Sequence, residues 1–308
     1  MGRYDHSRYV SLTMEFRCNL RCVHCMIEGT MDRLTPVSDE QFEGVLAINR
    51  SERRWAGLIL TGSEITLRRD LPELARKARA AGFEHVRIQT HGMHLARGSY
   101  AQELVDAGVD EFFVSVAGAD AATHDEITCI PNSFAKMMRG LEILSDIPGT
   151  AVITNTVVTE RSYRLLPAVV DALTPVGALT QMEFWHYFPM TEHDDKALLA
   201  DYRRIVPYLA EACRRADDRG IAVEIKNVPE CLLGRDAHRL ENGQPQLVID
   251  TDFWVEFDRN GFYQCPHRQQ CHSKQCLGLT SAYVERFGDH KDVLQPILAD
   301  GRILAPTS

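Results

Sequence analysis

Seven of the nine cysteines fall into two groups, and their spacing defines the chemistry open to this chain. Cys18-Asn-Leu-Arg-Cys22-Val-His-Cys25 carries three thiols, with three and then two residues between them. Soft thiolates select iron–sulfur clusters or zinc. Three on one tight loop hold three irons of a cubane cluster and leave the fourth iron without a protein ligand. Structural zinc normally closes with four ligands. His24 is at hand, but it adjoins Cys25, where reaching the same ion is strained. The second group is Cys231, Cys265, Cys271 and Cys276. Four thiolates are enough for one [4Fe–4S] cluster and too few for two. Zinc is the alternative there, with His267 or His272 in place of a thiolate.

These ligands need a scaffold, and the chain between them supplies one. Short apolar runs at 9–15, 57–60, 85–89, 111–116, 151–157 and 181–186 read as strands. Amphipathic stretches at 39–49, 70–81, 101–107, 133–144 and 165–173 read as helices. Gly82 and Gly108 stand where C-terminal helix caps belong. Strand–helix alternation implies a parallel sheet with crossover helices, here a partial (β/α)6 TIM-like barrel. Chemistry in such a barrel sits at the C-terminal ends of the strands. The first cysteine group directly follows the first strand, so it lies at that end. Residues 195–219 read as one long helix and 221–226 as a further strand. Beyond them, 229–280 is rich in Cys, His, Gly and Gln, with a hairpin expected at 253–263 around Asn260-Gly261 and Trp254 in its core. A segment so rich in loops needs crosslinks that a metal cluster would provide. The expected division is a core barrel at 1–194, a connector at 195–228 and a small auxiliary-cluster domain at 229–308.

Composition excludes other classes. The chain has 308 residues and a formal net charge of −9, which argues against general binding to a nucleic-acid backbone. No apolar run approaches the roughly 20 residues that span a bilayer, and residues 1–10 lack the apolar stretch of a signal peptide. A cytoplasmic location follows as the expectation. Clustered thiols in a reducing compartment bind metal more often than they form disulfides.

The C-x3-C-x2-C pattern after the first strand resembles the signature of the radical S-adenosylmethionine (SAM) superfamily. His24 falls where the family places an aromatic-type residue beside the cofactor. Thr61-Gly62-Ser63-Glu64 resembles the family's Gly-Gly-Glu-Pro segment, whose backbone and glutamate hold the SAM amino group; Ser63 and Ile65 depart from it. Thr90-His91-Gly92 stands where relatives often have Thr-Asn-Gly. Ser115, ending the fourth strand, and Asn155, on the fifth, are placed to contact the ribose or carboxylate of SAM. His124-Asp125-Glu126 with Ser133-Phe134 resembles the family's segment after that fourth strand. The resemblance implies a [4Fe–4S] cluster on Cys18, Cys22 and Cys25 with SAM on the open iron. It further implies reductive cleavage of SAM to a 5′-deoxyadenosyl radical and hydrogen abstraction from a substrate. The C-terminal cysteines resemble a twitch or shortened SPASM domain, which implies a second, auxiliary [4Fe–4S] cluster on Cys231, Cys265, Cys271 and Cys276.

The expected function is oxidation, epimerisation or rearrangement of a small metabolite. A flavodoxin or ferredoxin is the expected electron donor. A maturase acting on a ribosomally made peptide is the second reading. The cysteine loop begins at Cys18, which disfavours an N-terminal leader-peptide-binding domain. A non-enzymatic iron–sulfur electron carrier is the third. Cys129 is a candidate hydrogen-atom donor to a substrate radical, against the alternative of a buried small side chain. Cys213, inside the long helix, reads as packing. Glu183, Trp185, His186 and Tyr187 end the sixth strand, where they contact either ligand or one another.

Overall fold

A computed structural model describes residues 2–25, 33–189 and 196–303. The domain boundary expected at 194 lies outside them. Eight strands form one parallel sheet. In chain order they are β1 (Tyr9–Glu15), β2 (Gly57–Gly62), β3 (His85–Thr90), β4 (Glu111–Ser115), β5 (Ala151–Val158), β6 (Leu179–His186), β7 (Ala222–Lys226) and β8 (Gln246–Val248). Their spatial order is β7-β6-β5-β4-β3-β2-β1-β8. Helices α1 (Asp39–Glu52), α2 (Leu71–Ala80), α3 (Gly98–Asp106), α4 (Ala121–Thr128), α5 (Ser133–Asp146), α6 (Leu166–Leu173) and α7 (Tyr202–Asp217) run between the strands. Two short helices follow, α8 (Asp252–Asp258) and α9 (Ser281–Phe287).

Local signals explain most boundaries. Ser38 and Gln41 form a capping box at the start of α1. Gly82 and Gly108 follow α2 and α3 with φ of 86° and 104°, a left-handed conformation that glycine adopts at little cost. One face of β1 to β4, β6 and β7 is apolar: Val10, Leu12, Leu58, Leu60, Val86, Ile88, Phe112, Val114, Met182, Phe184, Val223 and Ile225 pack in one core with the helices. The alternate residues point the other way. Tyr9 on β1 donates to Glu111 on β4 at 2.9 Å, although two strands separate them. Such a contact crosses the barrel interior, so these residues line a lumen.

Three expectations need correction. The segment 253–263 contains the helix α8 instead of a hairpin. Phe253, Trp254 and Phe257 share a helical face, and Phe257 packs on Phe188 and Phe262; Asn260-Gly261 only ends that helix. Trp254, expected in a core, is exposed. The long helix begins at Tyr202, capped by Asp201, and not near 195. The C-terminal part also adds to the sheet. Leu240 bridges to Ile225 on β7, and β8 then pairs with β1. Residues 240–248 therefore touch both edges of the open barrel with one stretch of chain, through one bridge at β7 and a three-residue pairing at β1. Leu240, Leu279, Tyr283 and Leu294 belong to the main core.

The N-terminal residues close the opposite end. The Arg3 amide donates to Gln181 Oε1 at 2.6 Å, Tyr4 meets Thr180 at 2.9 Å, and His6 Nε2 lies 2.9 Å from Glu224. Arg87 lies buried between the rings of Tyr4 and Tyr9, each 4.6 Å away, and donates to Glu111 at 2.7 Å. This polar floor leaves the C-terminal mouth as the barrel's other end.

Candidate active site at the barrel mouth

The Cys18–Cys25 loop leaves β1 and is laid across the end of α4. Arg21 N–H donates to Thr128 O at 3.1 Å and Val23 N–H to Ile127 O at 2.9 Å. Within the loop, Leu20 N–H points at Cys18 Sγ, 3.3 Å away. All three thiols are half-buried. Burial pushes the Cys18 thiol up to about 11 and Cys22 to about 12, and the neighbouring thiols add to both shifts. Burial is the main cause, so the thiols stay protonated unless a bound cation stabilises the thiolates. His24 is held neutral, pushed down to about 4 by burial and by nearby His124.

Beside this loop stands the end of β2. Ser63 N–H donates to Glu15 O at 2.7 Å, and Gly62 pairs with Glu15 across the β1–β2 ladder. A Cβ on Gly62 would lie 1.9 Å from Glu15 O, so only glycine fits. Thr61 donates to Gln89 at 2.6 Å. Gly62→Ala is expected to force the two strand ends apart at a cost of about 1–3 kcal/mol, lowering the melting temperature and SAM affinity together. Unchanged melting would show that the ladder absorbs the methyl group.

Glu64 has no exposed surface. Its Oε1 accepts from Thr66 N–H at 3.0 Å, from the Thr66 hydroxyl and from Thr90 Oγ1 at 2.6 Å. Its Oε2 accepts from His91 N–H at 2.8 Å and faces His91 Nε2 at 3.1 Å. The same Nε2 lies 2.7 Å from Asn19 Oδ1 in the cysteine loop.

Ser115 is exposed at the end of β4 and stands in register with Asn155, which stands in register with Glu183. Asn155 Oδ1 is buried without a hydrogen-bond partner, the state of an acceptor that a ligand would satisfy. Beside it on β6, Trp185 Nε1 donates to Glu183 at 2.8 Å. His186 points away, bonded to Ala200 O at 2.9 Å and packed on Tyr202, so it is structural. Asp125 is structural too: its carboxylate accepts from Asn132 N–H, the Ser133 hydroxyl and Phe134 N–H at 2.6–2.8 Å, starting α5. Cys129 ends α4 with φ of 57°. It is exposed, not buried, and its thiol is among those that perturb Cys22. Cys213 is buried in the core as expected.

The structure also gathers Cys231, Cys265, Cys271 and Cys276. Each is half-buried. Burial raises Cys231 to about 12, and the other three thiols raise it further. Gly278 N–H points at Cys276 Sγ at 3.3 Å and Ile297 N–H at Cys271 Sγ at 3.4 Å, the kind of contact that tunes cluster sulfurs.

Sequence reading missed one polar cluster. Among the described residues, His6, Glu183 and Glu224 alone bring three ligand-type atoms within 4.8 Å of one another. Lys226 Nζ, 3.8 Å from Glu224, already supplies positive charge there. Burial raises the Glu183 carboxyl, and Lys226 opposes that shift. The signal was available in the inward-facing polar positions of β6 and β7, whose alternation marks a lumen.

Residues 14–162 match the family described as the Radical SAM superfamily. The chain is 34% identical over 179 residues to a protein of Methanopyrus kandleri described as "Probable GTP 3',8-cyclase", covering 58% of this chain and 56% of that one. It is 30% identical over 216 residues to the "AdoMet-dependent heme synthase" of Methanosarcina barkeri, covering 66% and 58%. The chain thus spans little more than half the length of these relatives. Streptococcus suis SuiB bound to S-adenosylmethionine is similar in fold, with a TM-score of 0.59 over 85% of this chain and 56% of that chain at 15% identity. Native anSMEcpe with bound AdoMet gives 0.57 over 70% and 64% at 16% identity.

Proposed function

The chain belongs to the radical SAM superfamily, and on that premise we propose that it is an enzyme acting on a small metabolite held in the barrel lumen. One observation carries this reading. Three half-buried thiols, Cys18, Cys22 and Cys25, stand together at the barrel mouth, on the loop that Asn19 ties to His91 at the end of β3.

The cofactors of such a chain are a [4Fe–4S] cluster and SAM, and the donor set suits them. A single tetrahedral zinc holds its sulfurs about 2.3 Å away and hence roughly 3.8 Å apart. Among the described residues no three cysteine sulfurs lie within 4.8 Å of one another. Three thiols in the first group and four in the second match the ligand numbers of [4Fe–4S] clusters. We assign Cys18, Cys22 and Cys25 to the first cluster and Cys231, Cys265, Cys271 and Cys276 to an auxiliary one. When bound, the first cluster and SAM supply one-electron reductive cleavage and a carbon radical able to take a substrate hydrogen.

The protein's own groups orient and enclose. The backbone of Thr61-Gly62-Ser63, held on Glu15, borders the site of the SAM amino group. Thr90 braces that segment through Glu64. Ser115 and the orphan carbonyl of Asn155 offer polar contacts to ribose or carboxylate. His24, neutral, would offer SAM an uncharged ring. The closed floor below Glu183 and Trp185 excludes water from the substrate's side of the lumen. Cys129 is retained as a hydrogen donor because it is exposed beside Cys22. A flavodoxin or ferredoxin would deliver the electron.

The relatives' names favour a ring-forming or other rearrangement of a small molecule. SuiB bound to its precursor peptide SuiA shares only the fold, at 14% identity, so a peptide substrate is the second reading. No described helix is long and apolar enough to cross a membrane.

The deciding assay is anaerobic reconstitution, reduction with dithionite, and chromatography for 5′-deoxyadenosine after adding SAM. Its formation is expected. A fully reconstituted protein that yields none is an electron carrier and not this enzyme.

A further inference from the structure

The structure gives His91 a specific task. Met93 N–H donates to His91 Nδ1 at 3.2 Å. Nδ1 is thus the acceptor of the ring, and the proton sits on Nε2. Burial lowers the His91 pKa, so the ring is neutral and Nε2 offers one N–H. That proton faces Asn19 Oδ1 at 2.7 Å and Glu64 Oε2 at 3.1 Å. Asn19 directly follows Cys18, and Glu64 ends the segment that borders the SAM amino group.

We propose that His91 is a positioning residue that ties the cysteine loop to the strand ends: its ring N–H holds Asn19 while its backbone N–H is held by Glu64. The inference rests on the function proposed above and adds a part to it. A carboxylate has about four lone-pair sites. Glu64 Oε1 already receives the two Thr66 donors and Thr90, and its Oε2 the His91 backbone N–H. Without exposed surface, Glu64 acts from inside the protein. It anchors Thr66 behind it and Thr90 and His91 beside it, and His91 carries that anchor on to the cluster loop. The cluster and the amino-acid end of SAM must meet at one iron, so their two supports need a fixed separation. Asparagine at position 91 is too short to reach Asn19 from the same backbone. Glutamine places an amide N–H about as far from Cβ as Nε2.

The test compares wild type with His91→Asn, His91→Gln and Asn19→Ala, each reconstituted as the full chain. Three quantities are measured: iron content, melting temperature, and SAM affinity read from the change in the reduced cluster's electron paramagnetic resonance spectrum. The expected result is near-normal iron and melting for all three. SAM affinity falls about tenfold in His91→Asn, the lower end of what losing an outer-shell partner costs a metal site. It falls similarly in Asn19→Ala and is largely restored in His91→Gln. Asn19→Ala keeps the test open if His91→Asn does not hold iron, because Asn19 is exposed and outside the core. A wild type whose spectrum ignores SAM would overturn the proposed function itself. Wild-type affinity in Asn19→Ala, with a normal wild-type response, would overturn the role of His91 alone.

Discussion

Changing Cys18, Cys22 and Cys25 together to alanine is expected to lower the iron of anaerobically reconstituted protein from about eight to about four per chain, as two four-iron clusters require. Production of 5′-deoxyadenosine should vanish in the same variant. The expectation follows from the separateness of the two thiol groups. Cys18 and Cys22 are perturbed by each other's neighbourhood at the barrel mouth. Cys231 is perturbed by Cys265, Cys271 and Cys276 and by no cysteine of the first group. Removing one set therefore leaves the other's ligands untouched. The complementary variant, with the four C-terminal cysteines changed, should keep about four irons and still cleave SAM. It should also loosen residues 263–278, which are built of turns around their sulfurs. Iron and acid-labile sulfide analysis decides the matter. If the first variant keeps almost no iron and the protein carries zinc instead, the C-terminal cysteines hold no cluster, and the chain has one.

Glu111→Gln is expected to destabilise the fold by about 3–5 kcal/mol, the usual cost of breaking a buried ion pair by removing one partner. Arg87 is 1% exposed and its only charged hydrogen-bond partner in the floor is Glu111. Its remaining neighbours are the faces of Tyr4 and Tyr9, which stabilise a cation far less than a carboxylate does. Neutralising Glu111 strands the guanidinium in a dry site, and Tyr9 loses its charged acceptor as well. The double variant Arg87→Met with Glu111→Leu should recover most of the loss, because well-packed apolar groups often replace a buried pair without penalty. Thermal melting of the three proteins measures this. A single variant that melts with wild type would show that the floor is wet. The same experiment tests the N-terminal plug, since Tyr4 reaches both Arg87 and Thr180.

Much of the barrel was legible before any coordinates. Strands β1 to β6 and most of their helices announced themselves through apolar periodicity, and Gly82 and Gly108 through the turns they permit. The cysteine loop was legible because three thiols at that spacing admit few chemistries. Other features were hidden, each for a physical reason. The hairpin expected around Asn260-Gly261 is a helix because Phe253 and Phe257 meet Phe188 and Phe262, partners far away in sequence. The strand β8 has only three residues, two of them exposed, so it lacks any apolar signal; its pairing with β1 exists because Leu240 is bound to β7 just upstream. Asp125 resembled a motif residue, yet its role is to start α5.

The amino-acid sequence by itself determined the ligand chemistry, the parallel alternating architecture and the end of the barrel at which chemistry belongs. Those are local properties: thiol spacing, period of hydrophobicity, turn residues. Only the tertiary structure decided what closes the lumen, which of the strand-end residues face it, and that His91 joins Asn19 to Glu64. These depend on side chains 27 and 72 residues apart meeting within hydrogen-bond distance, and such meetings follow from strand order and register across the whole sheet, which no local pattern encodes.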